Sequence, residues 1–335
     1  MTALGHLESR LSILRPLIEA EATIEVAINA CGRVWVERAG DSHMSLSDMT
    51  LSPVEVRDLA GLIANKQRLT LTDSQPAIST TIAFAGATLR CQAIIPPASA
   101  DGAIISLRVF RRKPAGVPPR HFGFLRNPAV SLEEERLETL RRIRNMAREG
   151  EDPDVFLRAC VEARLNMVIS GGTSSGKTEL ARRLLWMVEK EHRLALIEDS
   201  TELLPSQENV VSLIADRCEG SPRSADKLLE MTLRLRPDRI ILGELRGIEG
   251  VTFLEAINTG HEGSFTTLHA TSARKAVNRL AFLVMRAGMP LTLMEIRDYV
   301  LGSIDVIVQT GRIGAERGIL ETWFPGLEKG NGEAS

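Results

Sequence analysis

The sequence predicts an α/β protein: a P-loop core preceded by a smaller α+β N-terminal domain. Three observations carry this. Residues 130–326 alternate apolar strands with amphipathic helices, a pattern that implies helices around a largely parallel sheet. Within that run, GGTSSGKT at 171–178 lies between an apolar strand and a helix. Residues 1–111 show short β-like runs interrupted by one helical segment, as in a domain of mostly antiparallel strands.

The chain has 335 residues, room for about two domains. Its 44% apolar and 25% charged content is ordinary for a chain that buries a core. Lys+Arg number 41 and Asp+Glu 43, a net charge of −2. Free-standing nucleic-acid binders are usually clearly basic in one domain, so no direct nucleic-acid contact is expected. The four cysteines, Cys31, Cys91, Cys160 and Cys218, have no CxxC or Cys/His spacing. They are expected to be reduced thiols, with neither structural zinc nor a disulfide framework. The N-terminus lacks the pattern of a secretory signal, and no apolar run approaches 18 residues. A cytoplasmic protein is expected.

In the first domain (1–111), a helix is expected over His6–Glu21 and another near Pro53–Lys66. Strands are expected at Ile24–Asn29, Val34–Glu37, Ile78–Ala83, Ala87–Ile95 and Ala103–Phe110. Residues 112–130 are rich in proline and basic residues and read as a linker. Ser131 and Glu134 form a capping-box pattern opening a helix at Leu132–Arg148. The core (131–326) is expected to have strands at Asn166–Ser170, Leu194–Glu198, Val210–Ala215, Arg239–Gly243, Gly263–Leu268, Asp305–Gln309 and Ile319–Trp323. Its helices are expected at Lys177–Lys190, Ala225–Leu235, Glu249–Asn258, Ala273–Arg286 and Leu293–Tyr299. Residues 327–335 read as a disordered tail.

Gly171, Gly176, Lys177 and Thr178 meet the pattern G-x-x-x-x-G-K-[ST]. Glycines let successive backbone N–H groups curl around phosphates, and the next helix offers its positive end. Lys177 is expected on the β- and γ-phosphates of ATP and Thr178 on Mg²⁺. Gly172, Thr173, Ser174 and Ser175 complete the loop, and Glu179 follows it. Hydrolysis also needs a carboxylate to place the metal or polarise water. The apolar strand RIILGE ends in Glu244, the candidate to orient or activate the attacking water and to reach the metal through water. A second acidic strand end, Glu198–Asp199, lies where ligands bind in open α/β sheets. His261 and His269 flank another strand; their spacing is poor for zinc.

Four motifs in order carry a family resemblance: GGTSSGKT, IEDSTEL at 197–203, RLRPDRIILGELRG at 234–247 and TGHEGSFTTLHATSA at 259–273. Together they resemble the secretion ATPases of bacterial type II and type IV systems. The resemblance is strong over about 130–312. It is weaker before that, where GATLRCQAI at 86–94 and ISLRVFRRK at 105–113 are similar to the family's last paired N-terminal strands. It implies a RecA-like core, a mobile linker, ATP between the two domains and a homohexameric ring. It assigns Lys177/Thr178, Glu198/Asp199, Glu244 and His269 to the family's Walker A, acidic, Walker B and histidine boxes. In this family N-terminal arginines reach the γ-phosphate; Arg90 and Arg108 match best, and Arg246 is a further candidate. The sequence lacks a zinc-binding tetracysteine, which favours the conjugation and type IV secretion branch, with a tight-adherence pilus motor as an alternative. Peripheral association with the inner membrane, contact with inner-membrane secretion components, and a protein or DNA–protein cargo served indirectly are implied. A DNA-stimulated helicase and a non-hydrolysing nucleotide-gated scaffold are the other readings. Ser174 stands where many relatives carry glycine, which restricts φ there, and Glu179 replaces a common Thr.

Overall fold

The computed structural model describes residues 3–112, 116 and 121–328. The expected linker at 112–130 and tail at 327–335 fall partly outside the described residues. In order, the elements are α1 (Ala3–Leu11), a 3-10 turn (Ser12–Leu14), α2 (Arg15–Glu19), β1 (Thr23–Ile28), β2 (Arg33–Arg38), β3 (Ser45–Thr50), α3 (Pro53–Lys66), β4 (Ala77–Phe84), β5 (Ala87–Ile94) and β6 (Ile104–Arg111). Then come α4 (Leu132–Arg148), α5 (Pro153–Glu162), β7 (Met167–Gly171), α6 (Lys177–Met187), β8 (Leu194–Glu198), β9 (Val210–Ile214), α7 (Ala225–Thr232) and β10 (Arg239–Leu242). The chain continues through α8 (Glu249–Asn258), β11 (Phe265–Leu268), α9 (Ala273–Arg286), α10 (Leu293–Ser303), β12 (Val306–Ile313), β13 (Glu316–Trp323) and a last 3-10 turn (Pro325–Leu327). No helix among the described residues is long and apolar enough to cross a membrane.

Two expectations are corrected. The helix over His6–Glu21 is broken by a 3-10 turn and restarts with Pro16 in the first turn of α2. Proline lacks the N–H an inner helical turn needs but is tolerated in a first turn. The Ser131 cap is only half a box: its hydroxyl accepts from the Glu134 N–H at 3.4 Å. Full boxes form instead at Ser52–Glu55 and Thr292–Glu295. One α-helix and one strand are additional to those expected, besides the last 3-10 turn. Helix α5 opens on Asp152, whose carboxylate accepts from the Asp154 N–H at 2.8 Å, and it buries Phe156, Leu157, Cys160 and Val161. Strand β3 is a polar, largely exposed edge strand.

The chain divides into two compact units. One comprises residues 1–112 and 189–243, the other 113–188 and 244–335. In the first, a six-stranded sheet has the order β3-β2-β1-β6-β5-β4, every pairing antiparallel. Leu11, Leu14, Leu59 and Ile63 from the helical segments bury against Ile28, Leu89 and Leu107 of the strands. The same unit holds the parallel strands β10-β8-β9. A polar network joins its two parts. The wholly buried Arg193 donates to Asn29 Oδ1 at 2.8 Å and to Asn209, and Asn29 Nδ2 donates to Asn209 Oδ1 at 3.1 Å. Burial pulls the Arg193 pKa down to about 10 and pushes that of Glu25 up, the latter offset in part by its hydrogen bond from Ser106. Backbone bonds from the Ala100 N–H to Ser212 (2.9 Å) and from the Ile214 N–H to Ala98 (2.8 Å) add to the join.

The second unit holds the strand run β13-β12-β7-β11. Strands β11 and β12 are parallel to β7, and β13 is antiparallel to β12. Every residue of β7 is buried, as expected for an apolar strand flanked by parallel neighbours. The register places Leu268 beside Ser170 and Thr310 beside Gly171. His269 and Thr310 are thereby delivered to the end of β7, where the glycine-rich loop begins.

Candidate functional site

The loop after β7 is shaped by two residues in the left-handed region: Ser174 at φ 57° and Gly176 at φ 97°. For serine this conformation costs on the order of 1–2 kcal/mol. Position 174, where the family resemblance implies glycine in many relatives, thus has positive φ, and the serine side chain is accommodated there. Gly171 is required by close approach: a Cβ there would collide with the Ser175 and Thr310 hydroxyls. Gly176 serves as N-cap of α6 and leads directly into Lys177.

The Lys177 ammonium donates to the carbonyls of Gly171 (3.1 Å) and Gly172 (2.8 Å) and lies 3.4 Å from His269 Nδ1. Because an ammonium can only donate, Nδ1 is the acceptor and the His269 proton sits on Nε2. Nε2 is 3.1 Å from Glu244 Oε1, so it donates to that carboxylate. Glu244 also pairs with Arg246. Arg246, Glu244, His269 and Lys177 therefore form one continuous polar chain. Burial lowers the Lys177 pKa, with Glu244 opposing this and Arg246 adding to it. The Thr178 side chain lies on the first turn of α6 and is partly exposed. Thr173 and Glu179 are exposed, and Glu179 pairs with Arg182 at 3.5 Å.

Four other expected residues, Glu198, Asp199, Arg90 and Arg108, belong to the first unit. Glu198 is buried, and its Oε1 accepts from the N–H groups of Glu202 (2.9 Å) and Leu203 (3.0 Å). The carboxylate therefore orders the turn after β8. Asp199 pairs with Arg217 at 2.7 Å. Arg90 and Arg108 face each other across β5 and β6, and their guanidinium carbons lie 5.6 and 5.9 Å from the Phe110 ring centroid. In the second unit, His261 offers its backbone carbonyl to the Ser264 hydroxyl at 2.6 Å.

Three residues that brace the site carry no motif in the sequence. The Thr310 hydroxyl lies 2.8 Å from that of Ser175 and donates to the Ser170 carbonyl at 3.1 Å. Arg317, on β13, donates from Nε to the Ser174 carbonyl at 3.0 Å, and its stem lies against Gly176. Glu249 is buried, and its Oε1 accepts from the N–H groups of Arg246 (2.7 Å) and Gly247 (2.9 Å), fixing the turn after Glu244. Thr310 and Arg317 are remote from the loop in sequence, so only strand register links them to it. For Glu249, an acid in the first turn of an expected helix was a legible signal.

Comparison with known proteins gives a consistent result. The family described as Type II/IV secretion system protein matches residues 130–310. The conjugal transfer protein TrbB of Rhizobium radiobacter is 30% identical over 307 residues, 91% of this chain and 84% of its own. The type IV secretion system protein VirB11 of Bartonella quintana is 30% identical over 344 residues, 96% of this chain and 94% of its own. Among solved structures, the VirB11 ATPase of the Brucella suis type IV secretion system, in complex with sulphate, aligns with a TM-score of 0.77 at 29% identity. That alignment covers 95% of this chain and 97% of the other.

Proposed function

We propose, from the premise that this chain belongs to the type II/IV secretion system protein family, that it is an ATP-hydrolysing motor of a type IV secretion or conjugative transfer system. Its core is RecA-like, as in the solved relative. The observation that carries the reading is the polar chain from Lys177 through His269 to Glu244 beside a left-handed, glycine-bounded loop. In this reading the loop N–H groups and the Lys177 ammonium grip the phosphates. Lys177 exchanges the Gly171 and Gly172 carbonyls for phosphate oxygens. Glu244 accepts a proton from, or orients, the attacking water. His269 holds that carboxylate in place and connects it to Lys177, so loss of the γ-phosphate is felt at Glu244.

Mg²⁺ fits the residues present. The donors are hard oxygens, the Thr178 hydroxyl in the first turn of α6 and the Glu244 carboxylate linked through His269 to Lys177, and Mg²⁺ characteristically takes one or two protein ligands plus substrate phosphates and water. Thr178 would hold it, with Glu244 acting through water, and when bound it would neutralise developing charge on the phosphates. Arg90 and Arg108 are the proposed γ-phosphate partners from the N-terminal domain, coupling hydrolysis to domain motion and so to export or pilus assembly. A homohexamer at the cytoplasmic face of the inner membrane is part of the same proposal. Native mass measured with and without nucleotide tests it, and a chain that stays monomeric in both sinks the ring.

Lys177→Ala is expected to lose both nucleotide binding and turnover. Glu244→Gln is expected to retain binding and lose about 10²-fold or more in kcat, the usual scale of a general base. Steady-state hydrolysis and nucleotide titration of both variants check this, and wild-type turnover in either one removes the assigned site.

A further inference from the structure

At the other end of the β12–β13 hairpin lies a cavity of about 260 Å³ within the second unit, lined among others by Arg144, Arg148, Arg274, Glu321, Trp323 and Glu328. It is well removed from the phosphate loop. Arg317, which touches the loop, pairs with Arg312, whereas Trp323 pairs with Ile307 at the opposite end. That length of β13 spans roughly 20 Å at a strand's rise per residue.

The cavity has more donors than acceptors. Arg274 is engaged: it pairs with Glu328 at 2.7 Å and lies 5.0 Å over the Trp323 ring. Glu321 is engaged too, accepting the Ala273 N–H at 3.1 Å. Arg144 and Arg148, successive on one face of α4, have no carboxylate partner among the described residues. The Arg144 Nε–H and the Trp323 indole N–H are both shielded from water, and neither has a hydrogen-bond acceptor among the described residues. Trp323 as a whole is only 9% exposed. Unpaired dehydrated donors are costly and rare in folded proteins. Arg148 also sits in the last turn of α4, where the helix dipole favours a cation. That accounts for its charge but not for the two unpartnered donors.

We propose that this cavity is a second anion site, separate from the nucleotide site, which takes a phosphate group. Two guanidinium forks match phosphate oxygens in a way a point charge does not. A phosphate presents more acceptor oxygens than a carboxylate, enough to meet both forks and the indole N–H. The group comes either as a free phosphate or as the headgroup of an anionic phospholipid, and the two sources are separable.

The test uses the full chain carrying Lys177→Ala, so that the phosphate loop contributes nothing. Indole fluorescence is followed during titration with inorganic phosphate, and separately with phosphatidylglycerol vesicles against phosphatidylcholine vesicles. Trp323→Phe identifies the Trp323 signal. A saturable change is expected with phosphate, which assigns a free-phosphate source, or with phosphatidylglycerol vesicles alone, which assigns the headgroup. In Arg144→Ala/Arg148→Ala the midpoint is expected to rise by about tenfold or more. If circular dichroism shows the double variant to be misfolded, Arg148→Ala, which truncates an exposed side chain, carries the same expectation. No saturable change with any probe, or an unchanged midpoint in the folded variants, overturns the site. Neither result depends on whether the chain hydrolyses ATP.

Discussion

Thr310 shows how one hydroxyl can hold a loop it is distant from in sequence. It sits opposite Gly171, touches the Ser175 hydroxyl and donates to the Ser170 carbonyl. Thr310→Val keeps the shape and removes the polar atom, leaving Ser175 without that partner. A loss of about 1 kcal/mol in urea unfolding is expected, the usual net value of a hydrogen bond. A rise in the KM for ATP should accompany it, with kcat changed less, because the loop rather than the Glu244 carboxylate is disturbed. A fall in kcat at constant KM would place Thr310 in the chemistry instead. At this scale the sequence is informative where a motif fixes neighbouring residues, as at Gly171, Lys177 and Thr178. It is silent on Thr310 and Arg317, because a polar residue on a late strand looks like any other until strand pairing sets it beside the loop. The positive φ of Ser174 was legible only as a condition, since sequence names the residue but not the dihedral.

Elements with strong end signals were readable to the residue. Helices Pro53–Lys66, Leu132–Arg148, Glu249–Asn258 and Ala273–Arg286 have the expected bounds. Elements whose ends depend on packing shifted. Helix α10 runs on to Ser303 because Val300 and Ser303 are buried, and the β12–β13 hairpin extends past its apolar stretch through backbone pairing alone. Strand β3 has no legible signal because it is a polar edge strand without an apolar alternation. Capping strength is the testable property at this scale. The Thr292 hydroxyl and Glu295 carboxylate close both arms of a box, whereas Ser131 makes a single long bond. Thr292→Ala is expected to cost about 1 kcal/mol and Ser131→Ala distinctly less, compared by denaturant midpoints at constant m. Equal losses would mean that the second arm contributes nothing.

For the whole molecule, the informative feature is that residues 1–112 share a compact unit with 189–243. Arg193 is the buried centre of that join. Arg193→Met removes the cation while leaving Asn29, Asn209 and the buried Glu25 behind. Removing one partner of a buried charged network characteristically costs about 3–5 kcal/mol, so a large drop in the urea midpoint is expected. A change under about 1 kcal/mol would show that water replaces the guanidinium, given the modest net value of a solvated pair. The sequence by itself determined the α/β class, the strand–loop–helix setting of the glycine-rich motif, and the family. These are local or ordered signals, written in residue type and spacing. Tertiary structure alone decided that His269 bridges Lys177 and Glu244, that Glu198 orders its own turn, that Thr310 and Arg317 brace the loop, and that dehydrated donors gather beside Trp323. The physical reason is that hydrogen bonding and burial depend on which strands become neighbours, and one chain's periodicity does not encode that pairing.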